Sequence, residues 1–223
     1  MFQQVLSFPF YRLVQMVVVV ALFNAGGLAG SAAAKDAIKL VAFGDSLTAG
    51  FGVALRDAFP AQLQAALNAR GHKVEVVNAG VSGDTASAGL ERFDWAVPDD
   101  ADAVILELGA NDALRGIDVA ATTKSMDAIM GRLAARKLPV LVAGMRAPKN
   151  WGDSYAAQFD AIFPALATKY DALLYPFFLD GVVMDPALNQ GDGIHPTAPG
   201  IKVIVARILP SVEALIGRVA AVK

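Results

Sequence analysis

The 223-residue chain is 55% hydrophobic and 18% charged, with a formal charge of -2 at pH 7 and no cysteine. Those values describe one globular domain and exclude thiolate-bound zinc, a cysteine nucleophile and a disulfide framework. Two histidines, His72 and His195, leave little material for a multi-imidazole metal site, and the lack of excess positive charge argues against nucleic acid as a partner.

The chain opens on an uncharged stretch from Leu13 to Ala34, preceded by Arg12 and followed by Lys35-Asp36. Its strongly apolar part ends at Phe23. Asn24, Gly26, Gly27, Gly30 and Ser31 then dilute it, and Ala32-Ala33-Ala34 has the small-x-small pattern of a cleavage site. Residues 1–34 therefore read as a removed signal peptide, with a membrane anchor as the competing reading because the stretch is long enough to span a bilayer. Under either reading residues 35–223 form an exported domain, with the periplasm as the expected compartment. Once the signal is cleaved, no stable membrane span is expected.

Four short apolar runs follow in chain order: Ile38 to Phe43, Val74 to Asn78, Ala103 to Leu108 and Leu138 to Ala143. Each gives way to a turn, the pattern of strands buried on both faces. A fifth run spans Ala172 to Tyr175. Between them, helical spacing covers Phe59 to Arg70, Val119 to Lys137 and Ser154 to Tyr170, and Gly200 to Val219 makes a last helix. The alternation predicts an open α/β sheet of about five parallel strands. Ligands of such sheets bind beyond the carboxyl ends of the strands, which directs attention to the loops after Phe43, Asn78 and Leu108.

The first of these loops is Gly44-Asp45-Ser46-Leu47-Thr48. It places Ser46 at the mouth of the sheet as a candidate nucleophile, while the plainer alternative is that Asp45 or Ser46 caps a helix. Near the carboxyl terminus, Asp192-Gly-Ile-His195-Pro puts a carboxylate and an imidazole three residues apart. One turn brings both to the same side, as a base and its orienter require; a capping Asp beside a surface His is the alternative. Acyl transfer also needs donors for an oxyanion. Gly83, within Val81-Ser-Gly-Asp-Thr85, offers a backbone N–H, and Asn111, within Gly109-Ala-Asn-Asp112, offers an amide; either could equally be an ordinary turn residue. His72 follows Gly71 at a helix end and is given no catalytic role.

Taken together, these four blocks resemble the SGNH, or GDSL-type, hydrolases, closest to the exported thioesterase I, lysophospholipase and arylesterase branch. Glu107 to Gly116, Met145 to Pro148 and Tyr175 to Phe178 look like the same branch, and the resemblance covers essentially all of residues 35–223. It implies a three-layer, flavodoxin-like α/β/α sandwich. Ser46 would be the nucleophile, His195 the base and then acid, and Asp192 the orienter, with the oxyanion held by the N–H groups of Ser46 and Gly83 and by the Asn111 side chain. No metal or other cofactor is implied, and the partner is a small acyl ester or thioester. Ala110 departs from the branch, which has a second glycine there.

The substrate is less legible. Trp151 and Tyr155, together with Phe177-Phe178-Leu179, offer themselves as walls of an apolar acyl groove, although such aromatics also serve as plain packing. A carbohydrate O-acetyl esterase is the alternative enzyme, and a non-catalytic exported binding module is the alternative outside enzymes. Intact Ser46, Asp192 and His195 speak against the second. No Walker-type Gly-Lys-Ser/Thr and no Gly-x-Ser-x-Gly elbow occurs.

Overall fold

A computed structural model describes residues 37–222, so the predicted signal segment falls outside the described residues. β1 (Ile38–Gly44), β2 (Val74–Gly80), β3 (Ala103–Glu107), β4 (Val140–Ala143) and β5 (Leu173–Tyr175) form one parallel sheet in the order β2-β1-β3-β4-β5. The unbroken apolar runs of β3 and β4, and of β1 from Leu40 onward, are fully buried, whereas β2 and β5 lie at the edges and are partly covered. Central strands must be apolar on both faces because helices cover both.

Three long helices occur where the spacing predicts them, and a fourth predicted stretch is helical but divided. α2 (Phe59–Ala69) and α9 (Ala198–Val222) pack on each other and form one layer. The other layer is built around α6 (Val119–Ala135), which packs on α3 (Ala86–Glu91), α7 (Asp153–Asp160) and α8 (Ile162–Lys169). The expected three-layer α/β/α sandwich is what the chain forms. One boundary differs: the single helix expected from Ser154 to Tyr170 is two, meeting at Ala161. Pro164 explains the break, since it has no N–H for the Asp160 carbonyl and its ring collides with that carbonyl in a continuous helix. The short helices α1 (Ser46–Ala49), α4 (Phe93–Ala96) and α5 (Ala110–Arg115), like α3, are too brief to leave a periodic signal.

Strand order and register together position the site. Gly44 pairs with Gly80 on one side and with Glu107 on the other, so the loops after β1, β2 and β3 leave the sheet at one level. The chain goes outward from β1 to β2 and returns to β3 on β1's far side. The loops after β1 and β3 therefore diverge and open a crevice between them.

Candidate active site

Gly44 has room for no side chain. A Cβ there would stand 2.1 Å from Thr48 Oγ1 and 2.5 Å from Glu107 Oε2, so only glycine lets β1 turn directly into α1. Asp45 caps that helix, its Oδ1 accepting the Leu47 N–H at 3.0 Å. Ser46 is the first residue of α1. Its own N–H is one of the first-turn donors that have no intrahelical acceptor.

The loop before α9 delivers the imidazole. Asp192 Oδ1 accepts the N–H groups of Ile194 and His195 at 2.9 and 3.0 Å, which folds the loop around the carboxylate. The other oxygen, Oδ2, lies 2.7 Å from His195 Nδ1, and His195 Nε2 lies 2.9 Å from Ser46 Oγ. An ionised carboxylate can only accept, so the proton belongs on Nδ1 and Nε2 is left to accept from the serine hydroxyl. Asp192 is held ionised: the His195 N–H first, then the imidazole and the Ile194 N–H, draw its pKa down to about 2.

The two middle blocks come together beside Asp45, the residue before Ser46, from the neighbouring loops. Asn111, in the first turn of α5, donates from Nδ2 to Asp45 Oδ2 at 3.1 Å and to the Asp84 carbonyl at 3.0 Å. Arg115, one turn later, donates to Gly83 O at 3.0 Å and reaches Asn111 Oδ1 at 3.5 Å. These partners orient the amide with its nitrogen toward Asp45. Gly83 sits at φ +88, a left-handed conformation that a side chain would strain. The helix after it is capped by Thr85, whose hydroxyl accepts the Ala88 N–H.

Buried charge braces the turn from beneath. Arg92, almost wholly buried, pairs with Asp84 through Nε and donates to the carbonyls of Gly44 and Ala79 at 2.8 and 2.9 Å. Glu107, fully buried at the end of β3, accepts from the Thr48 hydroxyl at 2.7 Å. Burial and the neighbouring Asp45 push its pKa well above the usual range. Burial also raises Asp45, to about 6, against the opposing pull of Leu47, Asn111 and His195. Among the described residues no three His, Asp or Glu side chains gather as metal ligands would.

Residues 42–203, which contain every residue of this arrangement, match the model of the GDSL-like lipase/acylhydrolase family. The chain belongs to that family. It is 36% identical over 170 residues to an arylesterase of Vibrio mimicus, covering 74% of this chain and 84% of the relative. To the thioesterase 1/protease 1/lysophospholipase L1 of Escherichia coli K12 it is 39% identical over 166 residues, covering 74% and 77%. Among solved structures it is similar to the SGNH-hydrolase family esterase AlinE4, with 44% identity, a TM-score of 0.69, and coverage of 80% of this chain and 96% of that one.

This GDSL-type hydrolase thus brings Ser46, Asp192, His195, Gly83 and Asn111 to one end of the sheet, as the sequence predicts. The aromatic candidates Trp151 and Tyr155 are bonded to the main chain in and after α5. Trp151 Nε1 donates to the Ala113 carbonyl at 3.0 Å, and the Tyr155 hydroxyl donates to that of Ile117 at 2.9 Å, so both brace α5 and the segment after it. Trp151 remains half exposed. His72 precedes β2 at the opposite end of the sheet and pairs with Glu213 at 3.2 Å. Sequence reasoning missed Glu107, Arg92 and the side-chain bond of Asp45 to Asn111. A charged residue inside the apolar run Ala-Val-Ile-Leu-Glu was the available signal for the first.

Proposed function

We propose that Ser46, His195 and Asp192 are the catalytic residues of a hydrolase that cleaves carboxylic esters and thioesters through an acyl-enzyme. The observation that carries this reading is the unbroken chain Ser46 Oγ to His195 Nε2 at 2.9 Å and His195 Nδ1 to Asp192 Oδ2 at 2.7 Å. Ser46 attacks the carbonyl carbon while Nε2 takes its proton, and Asp192 stabilises the imidazolium so formed. The imidazolium then protonates the departing alcohol or thiol. Water, deprotonated by the same imidazole, releases the acid and restores Ser46.

The oxyanion would be met by the N–H groups of Ser46 and Gly83 and by the Asn111 amide. An oxyanion beside Ser46 competes with the Asp84 carbonyl for one Asn111 N–H, so the amide is engaged fully only once charge has developed. Trp151, a half-exposed residue beside α5, is our candidate for an acyl-chain contact. Export to the periplasm, supported by the composition of residues 1–34, completes the proposal; a protein recovered from the cytoplasm with those residues intact would overturn that part.

The test is hydrolysis of nitrophenyl acetate, butyrate, octanoate and palmitate beside a Ser46→Ala control. Turnover of the longer chains that vanishes in the control is expected, together with stoichiometric labelling of the unsubstituted protein alone by a serine-reactive phosphonate. Acetate-only activity would favour a carbohydrate O-acetyl esterase. A protein inert toward every ester and the phosphonate would be a binding module.

A further inference from the structure

Between α1 and the loop that carries His195 lies a contact that the proposed chemistry does not itself require. The Phe51 N–H donates to the Ser46 carbonyl at 3.1 Å, and the Phe51 carbonyl accepts from Gln190 Nε2 at 2.7 Å. The same nitrogen donates to the Pro196 carbonyl at 3.0 Å. Gln190 holds the histidine loop through its main chain as well, donating to the His195 carbonyl at 2.8 Å and accepting the Gly193 N–H at 2.9 Å. The Phe51 ring lies against the imidazole, with centroids 4.5 Å apart and planes at 37°. Gly52 makes the approach possible: at φ +73 it carries no Cβ, which would stand 2.1 Å from Gln190 Oε1.

We propose that Gln190 and Phe51 form a clasp that positions His195 over Ser46. The inference rests on His195 serving as the base for Ser46. The two residues come from segments 139 positions apart, and each bond of the clasp ends on the main chain of the nucleophile segment or of the histidine loop. Gln190 sets the distance between those segments. Phe51 covers one face of the imidazole and so limits its rotation about the Cβ bond toward that side. Its π-face also favours the imidazolium that forms in the transition state over the neutral ring.

The experiment compares Gln190→Ala, Phe51→Leu, Phe51→Tyr and the Gln190→Ala/Phe51→Leu double variant in the full chain. It measures kcat and KM on nitrophenyl butyrate, the rate of Ser46 phosphonylation, and the melting temperature. Misplacing a catalytic base by a fraction of an ångström costs about tenfold or more in rate, so Gln190→Ala and Phe51→Leu should each lower kcat and the phosphonylation rate by about tenfold, with KM within about twofold. Phe51→Tyr should restore both rates. The double variant should be no worse than about the poorer single one, because both break the same restraint. Unchanged rates in the single variants, a rise in KM alone, or fully multiplicative losses would overturn the clasp. Should Gln190→Ala fail to fold, the half-exposed Phe51 carries the test through its Leu and Tyr variants. An active Ser46→Ala would instead overturn the underlying assignment of nucleophile and base, whereas an inactive Ser46→Ala beside unimpaired clasp variants would overturn the clasp alone.

Discussion

The Asn111 amide illustrates how a neutral side chain is made into a directed donor. Its nitrogen is committed to Asp45 and to the Asp84 carbonyl, and its oxygen faces Arg115, so a flipped amide would set oxygen against oxygen. Asn111→Ala should lower kcat by a factor on the order of 10²–10³ with little change in KM, as expected when a donor acts mainly on the transition state. Steady-state kinetics on nitrophenyl esters decide it, and an undiminished kcat would remove Asn111 from the site. Asp192 acts by charge and by tautomer together. Asp192→Asn can keep one oxygen on the Ile194 and His195 N–H groups, but it turns an amide donor toward Nδ1, which forces the proton onto Nε2, where it can no longer accept from Ser46. A loss on the order of 10³–10⁴ in kcat follows from holding the wrong tautomer. Circular dichroism and melting should remain close to those of the parent, because Asp192 lies at the surface, where ion pairs contribute little to stability.

At the level of elements, the three long helices and five strands were legible because each repeats its apolar spacing for long enough to be recognised. The turn from β1 into α1 was legible only as a motif. Its physical cause lies in contacts from distant segments: Thr48 and Glu107 occupy the space that a Gly44 side chain would need. Gly44→Ala should therefore cost at least the ~1–3 kcal/mol of an overpacked core, and it should reduce turnover too because α1 begins two residues later. Urea unfolding and ester hydrolysis measure the two effects. Gly71→Ala is the useful contrast: among the described residues nothing lies within 4 Å of an added Cβ, only the φ of +85 opposes a side chain, and about 1–2 kcal/mol should be lost with turnover unchanged. Equal activity in the two variants would mean that α1 tolerates displacement. The break between α7 and α8 was also available in the sequence, since Pro164 interrupts the pattern. What single residues could not announce was the group of bonds joining Asp45, Asp84, Arg92 and Asn111, which depends on three loops leaving the sheet at the same level.

For the molecule as a whole, placing the crevice at the reversal of strand order sets two carboxyl groups, Asp45 and Glu107, inside the carboxyl end of the sheet rather than on its surface. Arg92 is drawn in by the Gly44 carbonyl and by Asp84, so the field beneath Ser46 combines a buried ion pair with two carboxyls that resist ionisation. Folding stability must then depend on pH in a particular sense. Glu107 ionises near 4.5 in the unfolded chain and well above that in the folded one, while Asp45 goes from 3.8 to about 6. Below both unfolded values each state is protonated and the favourable contribution is complete. As pH rises, the unfolded chain loses its protons first, so the folded state binds more of them and stability falls until the folded groups ionise. The carboxylates with lowered pKa, Asp192 among them, act in the opposite sense and only at more acid pH. Urea unfolding of the parent and of Glu107→Gln from pH 5 to pH 9 separates this contribution. Glutamine is neutral throughout, so the parent should lose stability with rising pH more steeply than the variant, and its stability relative to the variant should fall steadily toward alkaline pH. The intercept will differ as well, because among the described residues Glu107 Oε1 has no hydrogen-bond partner and an amide nitrogen placed there would be an unsatisfied donor. The slope is therefore the diagnostic quantity: parallel curves would mean that Glu107 ionises alike in both states and is not a buried neutral acid under the nucleophile.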